Sequence, residues 1–127
     1  MLLVAAAAII RHGEILLVRK KAKPKTWIFP GGVVEENENP EEGLTRELSE
    51  ELPGMEPTGF RPLGIYRGRY PRKEGGVRVV VYRATYKGRF AKGDELAELR
   101  WFSDPGKLRL AAPTARAIQV LRERGYL

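Results

Sequence analysis

The sequence contains no cysteine, one histidine and only three carboxamide side chains (Asn37, Asn39 and Gln119) in 127 residues. Without cysteine there is no disulfide framework, no thiolate metal site and no thiol nucleophile. A single histidine, His12, excludes a multi-histidine zinc centre. No internal repeat, low-complexity tract or linker interrupts the chain. Residues 1–127 therefore read as one domain, long enough to bury a hydrophobic core. A cytoplasmic address fits the missing cysteines. The low amide content, with abundant Arg and Glu, fits a thermophilic source.

Long apolar runs are also missing. The opening MLLVAAAAII is ten residues, too short to span a bilayer, and it has no positively charged segment before it. No membrane partner is expected. This run and Ile15–Val18, separated by Arg11-His12-Gly13-Glu14, predict a hairpin of buried strands with His12 solvated at the turn.

Charge is present but unevenly placed. The net charge is +7, yet residues 35–51 hold eight of the sixteen acids and one base, a segment of −7 inside a remainder of +14. A basic body around an acidic patch suits a polyanionic ligand accompanied by metal cations. A basic surface serving solubility or loose nucleic-acid binding has the same overall charge.

Apolar runs predict strands at 2–10, 15–19, 27–29, 77–86 and 99–102. A helix should begin at Pro40, with Asn39 as N-cap and Glu42 completing a capping box, and end at Pro53-Gly54. Its apolar stripe is Leu44, Leu48 and Leu52. A second helix is expected over about 113–124, with Ala117, Ile118 and Leu121 facing inward. Mixed strands and two spaced helices predict a layered α/β domain.

On the first helix Glu47, Glu50 and Glu51 fall at i, i+3 and i+4, on one face beside the leucine stripe. Like charges at that spacing repel, so stability alone does not account for them. A hard divalent cation does, since Mg²⁺ takes carboxylate oxygens together with substrate phosphates. Upstream, Pro30-Gly31-Gly32 forms a loop whose backbone can approach a ligand closely. Glu38 can add a further acid, and Arg46 can pair with these acids and hold them in position.

From Gly32, five residues lead to Glu38, seven more to Arg46, and then Arg46-Glu47-Leu48-Ser49-Glu50-Glu51 follows. This resembles the Nudix box, Gly-x5-Glu-x7-Arg-Glu-U-x-Glu-Glu-x-Gly-U, where U is aliphatic. One position departs: Pro53 stands where the last glycine is expected, and Gly54 comes a residue late. The departure lies past the acidic positions and bears on the helix exit. Trp27-Ile28-Phe29-Pro30-Gly31-Gly32 and Glu98-Leu99-Arg100-Trp101-Phe102 extend the resemblance over most of the chain.

The resemblance implies a Nudix-type α/β/α sandwich with a mixed sheet and a catalytic loop-helix. It implies Mg²⁺- or Mn²⁺-dependent cleavage of a pyrophosphate linkage in a nucleoside diphosphate derivative. Glu47, Glu50 and Glu51 are then the metal ligands, supported by Glu38 and the Gly32 carbonyl, with Arg46 among the catalytic positions. The general base is Glu50, Glu95 or Glu98, and the sequence does not choose among them. Substrate contacts are assigned to Tyr70, Arg69, Arg78 and Trp27. Against this, tryptophans and strand tyrosines such as Tyr66 and Tyr82 ordinarily pack in cores. The basic run Arg67, Arg69, Arg72, Lys73 and Arg78 ordinarily lies in solvent.

Tyr70-Pro71 falls where related enzymes carry either a proline associated with ADP-ribose or a tyrosine associated with dinucleoside polyphosphates. The short length is similar to that of MutT-like enzymes acting on nucleoside triphosphates. Guanine readers among these use a late asparagine, and this chain has only Asn37 and Asn39. The alternatives are removal of pyrophosphate from RNA 5′ ends and a non-catalytic nucleotide- or RNA-binding module on the same fold. The expected partner is a nucleotide, with nucleic acid ranked behind it. A homodimer, common among such enzymes, is compatible with the sequence.

Overall fold

A computed structural model describes residues 2–69 and 75–127. In chain order these residues form β1 (Leu2–Ala8), β2 (Ile10–Arg11), β3 (Glu14–Lys20), β4 (Lys23–Ile28), β5 (Gly31–Val33), α1 (Pro40–Glu51), β6 (Glu56–Gly68), β7 (Val77–Lys87), β8 (Leu96–Phe102) and α2 (Ala112–Glu123). A short 3-10 turn, Pro105–Lys107, precedes α2.

The strands make two sheets. One has the order β5-β1-β7-β6, with β1 and β7 parallel and the other pairs antiparallel. In the other, β3 pairs antiparallel with β2, β4 and β8. The apolar run expected as one strand over 2–10 is divided between them. Residues 2–8 join the first sheet and Ile10–Arg11 join the second, where Ile10 pairs with Ile15. His12 is exposed in the turn between β2 and β3, with φ 51°.

Strand alternation sends side chains to two cores. Ala5, Ala7, Leu16 and Val18 face one core together with Leu44, Leu48 and Leu52 beside α1. Ala6, Ala8, Ile15 and Leu17 face the other with Ala117, Ile118 and Leu121 of α2. The chain is therefore an α/β/α sandwich, with helices on opposite faces of the β layer.

Helix α1 forms as its sequence dictates. Asn39 Oδ1 accepts from the Glu42 N–H at 2.9 Å, and Glu42 Oε1 accepts from the Asn39 N–H at 2.9 Å, closing the capping box. Leu44, Leu48 and Leu52 are wholly buried, each contributing about 1.5–3 kcal/mol of transfer free energy. The helix exit explains the displaced glycine. Gly54 has φ +99°, and a Cβ there would lie 2.2 Å from the Arg89 carbonyl oxygen, so glycine is required at 54.

Strand β6 was not expected. Its 13 residues include Pro57, Gly59, Pro62 and Gly64, and its pairing with β7 shifts register at both Pro-Gly segments. Helix α2 begins at Ala112, one residue before the expected start, and packs on β6. The segment leading into it is tied to β4: the Trp27 N–H donates to Arg109 O at 2.9 Å, and the Ala111 N–H donates to Trp27 O at 3.3 Å.

Candidate active site

Gly31 and Gly32, expected in a loop, begin strand β5 and pair with Ala6 and Ala5 of β1; they meet the inner side of α1 through carboxylates. Glu51 Oε1 accepts a 2.8 Å hydrogen bond from the Gly31 N–H. Glu51 is 1% exposed, and its Oε2 is buried without a hydrogen-bond partner. The Lys20 ammonium, at the end of β3, stands 3.3 Å from that oxygen as an ion pair and donates to Gly31 O, also at 3.3 Å. Burial pushes the Glu51 carboxyl above its ordinary value; the Lys20 charge and the Gly31 N–H oppose the shift.

The Glu47 carboxylate rests directly on Gly32. A Cβ on that glycine would fall 2.3 Å from Glu47 Cδ, so any side chain there would displace the carboxylate. Glu47 Oε1 accepts from Arg46 Nη1 at 3.0 Å.

Arg46 organises the entrance to the helix. Its Nε and Nη2 grip Glu38 at 3.2 and 2.7 Å, and Nη2 also reaches Val33 O at 3.0 Å. Glu35 and Glu50 lie 3.7 and 3.9 Å from it. Arg46, and then the Glu35 N–H, hold the Glu38 carboxyl below its ordinary value. Glu38 in turn leads the interactions that keep the guanidinium charged. The positioning role expected for Arg46 is thus given concrete partners.

Of the three helix glutamates, Glu47 and Glu50 lie against Arg46, at 3.0 and 3.9 Å, while Glu51 pairs with Lys20. Among the described residues no three acidic or histidine side chains are gathered as a cluster able to hold an ion. The reason is visible: Arg46 draws Glu38 and Glu47, Lys20 draws Glu51, and Glu50 stays in solvent with its side chain 54% exposed. The donor chemistry nevertheless fits a hard divalent cation. The acidic donors are all oxygen, Glu51 presents a buried oxygen with no hydrogen bond, and Glu47 rests on the next residue of the same strand.

The other expected acids are placed differently. Glu98, on β8, is ion-paired with Arg19 and with Arg100, the latter at 3.3 Å, and shares no partner with Glu47, Glu50 or Glu51. Its carboxylate is committed to that ion cluster, which argues against it as the base. Glu95 is exposed on a turn near the helix end. That turn is fastened to the helix end by Gly93 N–H to Glu51 O at 2.8 Å, and to the residue after β3 by Lys21 N–H to Glu95 O at 3.0 Å.

A cavity of about 940 Å³ opens beside Gly31 and Gly32 of β5. Lys20, Lys23, Arg67, Arg69 and Arg116 line it, and none of its described lining residues is acidic. Its floor includes Leu2, Val4, Ile28, Phe29, Val77 and Val79. Arg69, one of the expected substrate contacts, lines this cavity, as does Arg67.

Trp27 does not line this cavity. It is 8% exposed in the α2-side core, its ring edge-on to Phe102 at 4.8 Å and beneath the Arg19 guanidinium. It is a packing residue, corrected from a substrate contact, because hydrophobic burial claims the ring and β pairing claims its backbone. Arg78 is exposed opposite Arg67 on β7 and is not among the lining residues. Tyr82 is buried in the α1-side core, and Tyr66 packs against the other. Tyr70, like Arg72 and Lys73 of the basic run, lies outside the described residues.

Lys20 escaped the sequence reading. It sits in a run of basic residues, and only the approach of β3's end to Gly31 and Glu51 singles it out.

Comparison with known proteins places this arrangement. The sequence model of the NUDIX domain matches residues 1–119. A Bacillus subtilis putative 8-oxo-dGTP diphosphatase is 34% identical over 107 residues, 84% of this chain and 68% of that protein. The CTP pyrophosphohydrolase of Escherichia coli is 40% identical over 79 residues, 60% of this chain and 55% of that one. The matches span from about half to about two thirds of the length of these curated relatives. The crystal structure of a MutT NUDIX hydrolase from Burkholderia pseudomallei superposes with a TM-score of 0.83 at 28% identity, covering 94% of this chain and 97% of its own. An α/β/α sandwich with the box's acids on its loop-helix, and a match across nearly the whole sequence, lead to one statement: this chain belongs to the NUDIX family.

Proposed function

We propose that the chain is a metal-dependent pyrophosphohydrolase acting on nucleoside diphosphate derivatives. The observation that carries this reading is the position of Gly31-Gly32 at the start of β5. It holds the Glu51 and Glu47 carboxylates on one side and borders the cation-lined cavity on the other. A phosphate chain entering the cavity meets Lys20 and the arginines, and Lys20, 3.3 Å from Glu51 Oε2, joins the cavity to the acidic face of α1. Curated relatives named for CTP, 8-oxo-dGTP and RNA pyrophosphate chemistry support the same reaction class.

Glu47 and Glu51, with Glu38 and Glu50 beside them and the Gly32 carbonyl in the loop, would hold Mg²⁺ or Mn²⁺. The cation would neutralise phosphoryl oxygens and lower the pKa of a bound water. Arg46 fixes Glu38 and Glu47 through charge-assisted bonds, so these carboxylates are oriented before substrate arrives. Glu50 is the solvent-facing member of the trio and our choice for accepting the water's proton; Glu95 on the adjoining turn is the second candidate. The apolar floor can cover a base or ribose and exclude water from that end of the cavity.

The test is a product-resolved screen of nucleoside triphosphates, ADP-ribose, dinucleoside polyphosphates and 5′-triphosphorylated RNA, with Mg²⁺ or Mn²⁺ and with chelator. Metal-dependent cleavage at a phosphoanhydride supports the proposal. Nucleotide binding indifferent to metal, without turnover, would instead identify a binding module on the same fold.

A further inference from the structure

The acidic residues sit at the wrong end of α1 for a helix left to itself. Glu47, Glu50 and Glu51 fall near its C-terminus, where the helix dipole presents partial negative charge and disfavours carboxylates. The last turn contains no basic residue. The helix also lacks a left-handed glycine cap of its own, since Leu52 at the C-cap has φ −128°. A helix end with like charges and open carbonyls tends to fray, and fraying here would displace Glu50 and Glu51.

The loop 88–95, between β7 and β8, supplies what the helix lacks. The Gly93 N–H donates to Glu51 O at 2.8 Å, and the Ala91 N–H donates to Pro53 O at 3.1 Å. Gly93 is buried, and a Cβ there would lie 2.3 Å from Glu50 O and 3.0 Å from Glu51 O. Both are backbone atoms, which cannot swing aside as a side chain does. Gly93 is not one of the glycines with positive φ. Contact with the end of α1, rather than backbone conformation, is therefore what requires glycine at 93.

The loop is also held from behind. The Leu96 N–H donates to Gly93 O at 3.2 Å, Lys92 Nζ donates to Leu96 O at 3.0 Å, and the Leu96 side chain is wholly buried. The Lys21 N–H donates to Glu95 O at 3.0 Å, and the residue before it, Lys20, pairs with the Glu51 carboxylate. One loop thus ties the backbone of Glu51 to the strand end that carries its counter-ion.

We propose, resting on the metal-dependent reading of the site, that Gly93 is a positioning residue for the acidic helix end. Through its N–H to Glu51 O and its close approach to Glu50 O, it keeps the last turn of α1 helical and sets where the Glu50 and Glu51 carboxylates stand. Gly93 touches neither carboxylate; it acts through the backbone that bears them. Groups that orient metal ligands in this way typically cost about 10–100-fold in metal affinity when altered.

The experiment compares wild type, Gly93→Ala and Ile118→Val by calorimetry with Mn²⁺ alone and by amide hydrogen exchange without metal. Ile118→Val trims a buried residue of the α2-side core and serves as the control for general loosening. In Gly93→Ala the Mn²⁺ Kd should rise about 10–100-fold, and the Leu52 N–H, which donates to Leu48 O across the last turn, should exchange faster. Ile118→Val should melt lower yet keep the wild-type Kd. A Gly93→Ala Kd within about threefold of wild type, well under that 10–100-fold range, overturns the proposal, as does an equal weakening in Ile118→Val. Should Gly93→Ala not fold, the wild type decides: saturating Mg²⁺ should slow exchange of the Gly93 N–H by about tenfold, within the 5–150-fold typical of coupled sites. Unchanged exchange there overturns it. If the wild type binds neither Mn²⁺ nor Mg²⁺, the metal-dependent reading fails instead, and Leu52 exchange in Gly93→Ala still decides whether Gly93 holds the helix end.

Discussion

The Lys20 ammonium lies 3.3 Å from Glu51 Oε2, a buried oxygen with no hydrogen bond, and in the same position it borders the cavity. A basic side chain thus neutralises one of the acids proposed to bind metal. Lys20 and a divalent cation are competing partners for one carboxylate. Metal at Glu51 would free the ammonium for a phosphate oxygen.

Replacing Lys20 by Met should therefore have opposite effects on the two states. Removing one partner of a buried pair costs about 3–5 kcal/mol; with Lys20 31% exposed we expect roughly 1–3 kcal/mol. The melting temperature in chelator should fall, the gain on adding Mg²⁺ should exceed that of the wild type, and KM for nucleotide should rise. An equal loss of stability with and without metal would remove Lys20 from this role.

Glu50→Gln and Glu51→Gln should separate chemistry from metal binding. Both are expected to lower kcat by at least about 10²-fold, as for loss of a general base or of bound-metal catalysis. Glu51→Gln should also lose most of the Mg²⁺-induced thermal stabilisation, because it is the buried, loop-anchored carboxylate. Glu50→Gln should retain much of it. Full turnover by both variants would sink the mechanism.

Gly54→Ala tests the helix exit. At φ +99°, with a Cβ 2.2 Å from the Arg89 carbonyl, the substitution combines backbone strain with a steric clash against backbone. A loss of about 2–4 kcal/mol in urea unfolding is expected, above the ~1–3 kcal/mol of strain alone. A change below ~1 kcal/mol would show that the 88–95 loop yields freely.

Acid titration tests the Arg46 node. Because Glu38 is held below its ordinary value in the folded chain, its carboxylate contributes stability that is fully present above the unfolded pKa near 4.5. That contribution is lost as pH falls through the lowered folded value. Glu38→Gln should therefore be less stable than wild type at neutral pH, and the difference should shrink through the acid range. Unfolding curves that keep a constant separation down to the acid limit would contradict this linkage.

How much the sequence disclosed follows from whether a signal was local. The capping box needs only Asn39 and Glu42, and the leucine stripe only a period of four, so α1 was legible nearly to the residue. β6 was concealed because prolines and glycines ordinarily break strands. They are tolerated here because β6 is the edge of its sheet, where a missing N–H leaves no ladder partner unsatisfied and bulges absorb the irregular residues. Trp27 lies two residues from a cavity-lining phenylalanine, yet strand alternation alone does not say which face the cavity takes. The link between Lys20 and Glu51 joins residues 31 apart in sequence, and nothing local marks it. The same holds for the divergence of the glutamate trio, which depends on where Arg46 and Lys20 lie.

Ala5 through Ala8 present methyl groups to both helix layers. A strand of the smallest β-carbon side chain acts as a thin gasket, bringing α1 as near to the sheet as packing allows. The same strand pairs Ala5 with Gly32 and Ala6 with Gly31, so it sets the level of the loop as well as the stand-off of the helix. Any larger residue at 5 or 7 would lift the carboxylates away from the glycines they rest against. The acidic site is thus calibrated from beneath by Ala5 and Ala7, which are buried on the α1 side and absent from the lining of the cavity.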